Sequence, residues 1–324
     1  MVREMNKPRV SVVMAVYNSE RYLTEAIDSL LSQTLGDFEF IIVDDGSFDG
    51  SGEIIRAFDD SRIRLKRQEN KGLAAALNSG IAMARGVFVA RMDADDHSLP
   101  ERLLEQVEFL DAHPEVVAVG SAAIIMDADG CEICVFRNPE EDTQLRHRFP
   151  TSPFVHPSVM FRLSAFLSAG GYPEYMKHGG EDIVLFSAMA KQGQLSNLQS
   201  PLIRYRITPG SISRKPKTFR RELKKIISDV ANGTEAGSDA LKQLEISSVA
   251  IPQKESDFSY HYDLARYYIW SGQGFGRARK HLAECRKLYP FRPTIWQLYL
   301  LAIMPPRLIN SAYMTFRRTN LSKR

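Results

Sequence analysis

The feature that most constrains the fold is a regular alternation of short apolar runs with segments of helical periodicity. Val10–Val16 and residues 38–43 are runs rich in β-branched and aromatic side chains, typical of strands buried on both faces of a sheet. Between them, leucine, isoleucine and alanine recur at helical spacing over residues 23–31. Shorter apolar runs follow at residues 63–65 and 87–90. This alternation predicts a mainly parallel sheet with right-handed crossovers, flanked by helices.

Polar residues follow three of these runs at the point where each run ends. Tyr17 and Asn18 follow the first run, Asp44 and Asp45 the second, and residues 93–96 the run that begins at residue 87. In open α/β sheets, ligands bind beyond the carboxyl ends of the strands, so we expect these segments to form one site. The first strand lacks a following Gly-x-Gly-x-x-Gly, which disfavours a dinucleotide-binding dehydrogenase.

Three acids, Asp93, Asp95 and Asp96, occupy four consecutive positions at one strand end. Such carboxylates repel each other strongly unless a cation is present. Hard divalent cations prefer carboxylate oxygens and commonly bridge protein acids and a diphosphate. The alternative interpretation is an acidic helix cap before Pro100. The two other polar strand ends favour the metal, and the expected cofactor is Mn²⁺ or Mg²⁺.

The C-terminal part of the chain differs from the rest in composition. Residues 214–225 are rich in lysine and arginine, and residues 232–238 have the composition of a loop. From residue 257 the chain is helical in pattern and aromatic-rich, resembling a single tetratricopeptide-type hairpin, whereas a solenoid needs about three repeats. We therefore predict an α/β domain over residues 1–213, a basic helical linker over 214–256 and a helical region over 257–324.

Bulk properties exclude several classes of protein. The net charge of +3 does not favour nucleic-acid binding. Residues 1–9 lack the apolar core of a signal peptide, and the apolar run near residues 295–304 is about half of the roughly 20 residues that a membrane-spanning helix needs. We expect a cytoplasmic protein.

Cys131 and Cys134 form a C-x-x-C motif without a second Cys or His pair at zinc-finger spacing. We therefore interpret them as part of a strand leaving a turn.

Taken together, these segments resemble the family 2 glycosyltransferases, which are inverting enzymes of GT-A fold. The resemblance covers about residues 9–213 and rests on five motifs in order: VSVVMAVYN at 10–18, VDDGS at 43–47, NKG at 70–72, ARMDADD at 90–96 and GEDIVL at 180–185. It implies a Rossmann-like α/β GT-A domain with a helical appendage. It also implies a nucleotide-sugar donor of the UDP type and a divalent metal.

The resemblance assigns roles on the donor side. Ala15 and Tyr17 match residues that line the nucleotide base, Asp45 matches an acid that pairs with uracil, and Asp93 matches an acid near the ribose or sugar. Asp95, with Asp93 beside it, matches the metal-binding acid. The complete donor-side set expected from the resemblance is Ala15, Tyr17, Glu20, Asp45, Asn78 and Asp93.

The resemblance makes Asp182 the catalytic base, next to Glu181, whose charge would raise its pKa. Without the resemblance, the sequence Gly-Gly-Glu-Asp would be interpreted as a helix N-cap. The cap and the catalytic base can coexist at these residues. The stretches 156–158 and 170–172 match segments that shape the acceptor side. His156 is otherwise interpreted as a loop histidine held by hydrogen bonds.

Two positions depart from the family pattern. Leu77 stands where the family often carries an arginine, and Thr208 stands where many members carry a histidine. These departures leave open the alternative that the protein is a catalytically inactive scaffold that binds a nucleotide sugar.

A nucleotidyltransferase is disfavoured because the first strand is not followed by a Gly-rich loop. The expected acceptor is a hydroxyl of a glycan or a lipid-linked glycan in surface polysaccharide synthesis. The basic stretch and the aromatic C-terminal region also suit peripheral association with the inner membrane, as alternatives to a solvated face and to packing on the catalytic domain.

Overall fold

The computed structural model describes residues 7–149, 151–176, 179–209, 221–222, 224–226, 239–240, 243, 252–272 and 274–303. The chain forms two compact units. The first comprises Met1–Ile124, Phe136–Tyr205 and Pro216–Ser248, and the second comprises Ile125–Val135, Arg206–Lys215 and Val249–Arg324. Most of the predicted linker, residues 214–256, lies outside the described residues.

The first four long strands form the parallel half of one sheet, as the sequence predicts. Strand β1 (Val10–Val16) lies between β2 (Phe38–Asp44) and β4 (Phe88–Asp93), and β3 (Ile63–Arg67) pairs with the outer edge of β2. All three pairings are parallel. In this register Ala15 lies opposite both Val43 and Asp93, so the carboxyl ends of β1, β2 and β4 meet at one edge of the sheet.

The other half of the sheet is mixed. Strand β8 (Met160–Arg162) runs antiparallel to both β4 and β6 (Val116–Met126). The long strand β9 (Gln194–Arg206) follows β6 in the sheet, and the two-residue β5 (His97–Ser98) pairs with it antiparallel. The sequence pattern suggests residues 201–207 as an edge strand, but residues 201–206 belong to β9, which has neighbours on both sides. That interpretation was wrong because β5 is too short to be recognised from its sequence.

Helices cover both faces of the sheet. Their bounds in the first unit are α1 (Glu20–Leu31), α2 (Ser51–Ala57), α3 (Leu73–Ile81), α4 (Arg102–Ala112), α5 (Asp142–Arg146), α6 (Leu163–Ser168) and α7 (Glu181–Met189), with a 3-10 turn at His156–Ser158. Val12 and Met14 of β1 pack in the same cluster as α1, whereas Val13 packs with α3. The small residues of α3 permit close approach: a Cβ on Gly80 would lie 2.6 Å from Cγ1 of Val13.

The second unit contains a helical region, as predicted. Strand β7 (Glu132–Phe136) pairs with β6, and three helices follow: α8 (Gln253–Trp270), α9 (Phe275–Leu288) and α10 (Pro293–Ile303). Leu264, Leu282 and Ile295 are fully buried among them. Cys131 and Cys134 are free thiols beside and within β7, after the turn at residues 127–130, which confirms the interpretation of the C-x-x-C. Among the described helices, none is both long and apolar enough to span a bilayer.

A buried carboxylate, that of Asp127, organises this unit. One oxygen accepts the backbone N–H groups of Asp129 and Cys131, and the other accepts the Tyr268 hydroxyl at 2.7 Å and the Arg277 guanidinium at 3.2 Å. The arrangement joins the β6–β7 turn to helices α8 and α9. Burial, together with the hydrogen bond that Tyr268 donates to Asp127, raises the pKa of Tyr268.

Replacing this acid, Asp127→Ala, should destabilise the second unit by about 3 kcal/mol, because it removes charge-assisted hydrogen bonds and leaves buried donors without acceptors. The measurement is hydrogen exchange of the α8 amides. Asp129→Ala, on an exposed neighbour in the same turn, is the matched control and should change the opening free energy by about 0.5 kcal/mol or less. Equal exchange in the Asp127→Ala and wild-type proteins would contradict this role.

Candidate active site

The acids at the end of β4 form a compact cluster. Asp93 is the last residue of the strand, and ligand oxygens of Asp93, Asp95 and Asp96 all lie within 4.8 Å of one another. In the described part of the chain, no other group of three or more histidine, cysteine or acidic side chains is as close. Three oxygens at this spacing suit a hard divalent cation. The cluster also supplies Asp96, which is buried, as a candidate third ligand.

A buried arginine, Arg91, holds the first of these acids. Its Nη1 lies 2.6 Å from Oδ2 of Asp93 and its Nη2 lies 2.5 Å from Oδ1, a bidentate ion pair. Burial opposes the charge of Arg91, but the charge of Asp93 and its hydrogen bond to Arg91 raise the pKa of Arg91 above the ordinary value. Both oxygens of Asp93 are thereby engaged. Asp93 is therefore held in a fixed orientation at the end of β4.

A second buried arginine lies behind the first. Nη2 of Arg102 donates to the backbone carbonyl of Arg91 at 2.6 Å, and its Nε donates to Gln106. Burial and the charge of Arg91 lower the pKa of Arg102 to about 9. Two cations beneath the acids partly balance their charge. Sequence reasoning missed both, although a charged residue inside the apolar strand β4 was a signal for Arg91.

The predicted catalytic pair lies in the first turn of α7. Gly180 precedes it with a φ of 96°, a left-handed conformation that favours glycine. Glu181 is buried, and burial together with the charge of Asp182 raises its pKa to about 8. Burial also raises the pKa of Asp182, against hydrogen bonds from the Ser152 hydroxyl and a backbone N–H group. The helix start and the two carboxylates therefore coincide, as the sequence allows.

Arg91 connects the two groups of acids. Its charge lowers the pKa of both Glu181 and Asp182, and the charge of Asp93 raises the pKa of Glu181. Charge–charge effects weaken with distance, so these effects indicate that the two groups of acids lie in the same region of the fold. The structure thus brings the end of β4 and the start of α7 to one site, although the two segments are far apart in sequence.

A histidine and a tyrosine line the same site. Nε2 of His156 lies 2.9 Å from the hydroxyl of Tyr172, and its Nδ1 lies 3.9 Å from Oε1 of Glu181. Burial and the charge of Arg91 lower the pKa of His156 well below its ordinary value, and burial raises that of Tyr172. Both rings are therefore neutral near pH 7. The interpretation of His156 as a residue held by hydrogen bonds fits, and this contact joins the stretches 156–158 and 170–172.

Asp45 of the donor-side set is buried and holds a loop. One oxygen accepts the side-chain amide of Gln68 at 2.8 Å and the N–H of Lys71 at 3.0 Å, and the other accepts the N–H of Gly72 at 2.9 Å. These bonds tie the end of β2 to the loop before α3. In this structure Asp45 shapes the edge of the sheet, and its contact with uracil stays a prediction.

Asn78 and Glu20 also bind neighbouring segments. The amide of Asn78 donates to the carbonyl of Tyr172 at 2.8 Å and accepts its N–H at 2.9 Å, which fixes the loop after α6. Oε2 of Glu20 accepts the N–H of Gly50 at 2.7 Å. Sequence reasoning did not foresee these bonds, because each joins segments that only the fold brings together.

The last two donor-side residues, Ala15 and Tyr17, lie at the end of β1. Ala15 is half-buried in the register beside Asp93. The Tyr17 ring is exposed and packs edge-to-face against the exposed ring of Phe48, with centroids 6.1 Å apart. Asn18, with a positive φ of 49°, accepts the N–H of Phe48 through its side-chain oxygen and so ties the end of β1 to the loop after β2. An exposed aromatic at this strand end suits stacking on a planar ring.

Comparison with known proteins identifies similar sequences in one family. The model of the family described as "Glycosyl transferase family 2" matches residues 11–167. The putative glycosyltransferase EpsE of Bacillus subtilis is 34% identical over 65% of this chain and 78% of its own length. The amylovoran biosynthesis glycosyltransferase AmsE of Erwinia amylovora is 32% identical over 63% of this chain and 79% of its own length.

A solved structure shares the fold. S. aureus TarS 1-349, crystallised with UDP-GlcNAc, superposes with a TM-score of 0.56 at 18% identity, over 95% of this chain and 92% of the TarS chain. At this identity the likeness concerns the fold. It confirms the expected α/β architecture with a C-terminal helical region.

Proposed function

Because the chain belongs to the family 2 glycosyltransferases, we propose that it moves a sugar from a UDP-sugar to an acceptor hydroxyl with inversion at the anomeric carbon. The observation that carries the proposal is the convergence of two groups of acids, Asp93 to Asp96 and Glu181 with Asp182, around the buried Arg91. The UDP-GlcNAc complex of TarS supports the choice of donor. Tyr17 and Asp45 would contact the base, and Asp93 the ribose or sugar.

The residues at the end of β4 fit a divalent metal. Asp95 would be its principal ligand, with Asp96 and Asp93 in reach, since their ligand oxygens lie within 4.8 Å. Mn²⁺ or Mg²⁺ held there would neutralise charge on the diphosphate leaving group. The two buried arginines keep the cluster from carrying a large uncompensated negative charge.

Asp182 would act as the general base. It would accept the proton of the acceptor hydroxyl while the oxygen attacks the anomeric carbon. Its raised pKa brings its basicity closer to neutral pH, as this task requires. Glu181, protonated near pH 7 because its pKa is about 8, would then avoid placing a second negative charge beside it.

The proposed acceptor is a hydroxyl of a glycan or lipid-linked glycan in surface polysaccharide synthesis. The biosynthetic name of AmsE supports this assignment. The protein would act in the cytoplasm, at the inner face of the membrane, and residues 1–213 would form its catalytic domain.

A thermal-shift panel tests donor and metal together. UDP with Mn²⁺ should raise the melting temperature more than GDP, TDP or CDP with Mn²⁺, because the base contacts proposed for Asp45 and Tyr17 select uracil. Without metal the shift should largely disappear. An equal response to all nucleotides would overturn the choice of UDP. Donor binding with no transfer to any acceptor in a glycan library would favour the inactive scaffold.

A further inference from the structure

Helix α10 has an exposed apolar face in addition to the face that packs within its own unit. Ile295, Leu298 and Ala302 are buried and account for its packing. Trp296, Leu300 and Ile303 recur at helical spacing on another face and are 47%, 63% and 67% exposed. The segment Pro293–Ile303 contains no charged residue. A contiguous exposed apolar row of this kind marks an interaction site more often than an ordinary surface.

The turn before α10 extends this face. Phe291 is 92% exposed, at the corner where α9 ends and α10 begins. Nε1 of Trp296 donates to the carbonyl of Pro290 at 3.2 Å, which holds the indole ring at the same corner. We call Phe291, Trp296, Leu300 and Ile303 the apolar corner. Aromatic rings whose polar atoms are satisfied and whose apolar faces are exposed suit the boundary of a lipid layer.

The positive charges that precede the apolar corner in the sequence favour an anionic partner. Helices α9 and α10 together contain five lysine and arginine residues and one acid, Glu284. Arg286 and Lys287 are exposed in the last turn of α9, directly before the corner, and Lys287 also pairs with Glu284 at 2.7 Å. A second copy of the chain would bring these positive charges together, whereas an anionic lipid surface complements them.

We propose that the apolar corner and the basic end of α9 form a docking surface for an anionic lipid leaflet. Phe291, Trp296, Leu300 and Ile303 would enter the headgroup boundary, and Arg286 and Lys287 would attract acidic headgroups. This inference deepens the proposed location at the membrane by naming the surface and the lipid charge. It does not depend on the transfer chemistry.

The test is co-sedimentation of the full chain with phosphatidylcholine vesicles, with and without phosphatidylglycerol. The protein should bind the anionic vesicles and release them as salt is raised. The triple variant Phe291→Ser, Leu300→Ser, Ile303→Ser should bind at least about tenfold more weakly. Leu167→Ser, at an equally exposed leucine in α6, is the matched control and should bind like wild type.

The charge variant Arg286→Gln with Lys287→Gln should weaken binding about 25-fold, at about fivefold for each cation. Asp182→Asn should bind vesicles normally, so failure here is distinguishable from failure of the proposed transferase. Equal binding to neutral and anionic vesicles, or unchanged binding by the triple variant, would overturn the proposal. Dimerisation without lipid that the triple variant abolishes would overturn it too, and would identify a second copy as the partner.

Discussion

Asp182→Asn should lower kcat for sugar transfer by roughly 10²–10⁴-fold, because an amide cannot accept the proton of the attacking hydroxyl. The affinity for UDP-sugar should stay within about threefold of wild type, since Asp182 is proposed to act on the acceptor and only after the donor is bound. Steady-state kinetics and a donor-binding titration measure the two quantities separately. Retained turnover in this variant would show that another group is the base.

Glu181→Gln is the matched control because it alters the adjacent carboxylate in the same helical turn. If Asp182 is the base, the kcat of Glu181→Gln should be at least about tenfold higher than the kcat of Asp182→Asn. The folded pKa of Glu181 is about 8 against an ordinary value of 4.5. Stability from its protonated form is complete below pH 4.5 and is lost as pH rises towards 8. Glu181→Gln should therefore raise the melting temperature at pH 8 and change it little at pH 4.5.

The pH profile of transfer gives a further check on the same base. Because burial raises the pKa of Asp182, its proton is lost at higher pH than from an ordinary aspartate. The protonated form cannot act as base, so kcat/KM should rise with pH through this raised pKa. A profile flat from acid to neutral pH would contradict a buried carboxylate base.

Asp95→Ala should abolish the Mn²⁺-dependent part of the UDP thermal shift and lower kcat/KM by roughly 10²–10³-fold, because charge building on the leaving diphosphate would lose its counter-ion. The same substitution should leave the metal-free protein as stable as wild type or more so, since it removes one of three clustered acids. Calorimetric titration with Mn²⁺ and melting curves measure both effects.

Two further variants make the metal assignment specific. Asp28→Ala, at an exposed acid on α1, should retain the full Mn²⁺ response. Asp93→Asn should lose less Mn²⁺ affinity than Asp95→Ala, because Arg91 engages both oxygens of Asp93. A full metal response in Asp95→Ala would place the ion elsewhere.

Much of the first half of the sheet could be read from the sequence. The runs that became β1, β2 and β4 are continuous and apolar because each strand is covered by helices on both faces, so burial leaves a local pattern. The acids at the ends of these strands could also be identified from the sequence, because a polar residue directly after a continuous apolar run marks the end of a buried strand. The sequence Gly-Gly-Glu-Asp predicted a helix N-cap before a helix over residues 183–191, and the helix begins slightly earlier, at Glu181.

The rest of the sheet left weaker signals. Strand β5 has two residues and β8 has three, too few for any periodicity, and their pairing depends on neighbours distant in sequence. Long-range pairing of this kind costs chain entropy that only the assembled sheet repays. This is why residues 201–207 were misplaced at an edge.

The sequence by itself determined which residue types could do chemistry and at which strand and helix ends they stand. Only the tertiary structure decided how those groups are used: Arg91 pairs with Asp93, Arg102 lies behind it, and Asp45 and Asn78 hold loops. It also set the state of the acids, since burial raises the pKa of Glu181 and Asp182. The physical reason is that desolvation and charge–charge energies depend on distance in space, and distance along the chain does not encode them.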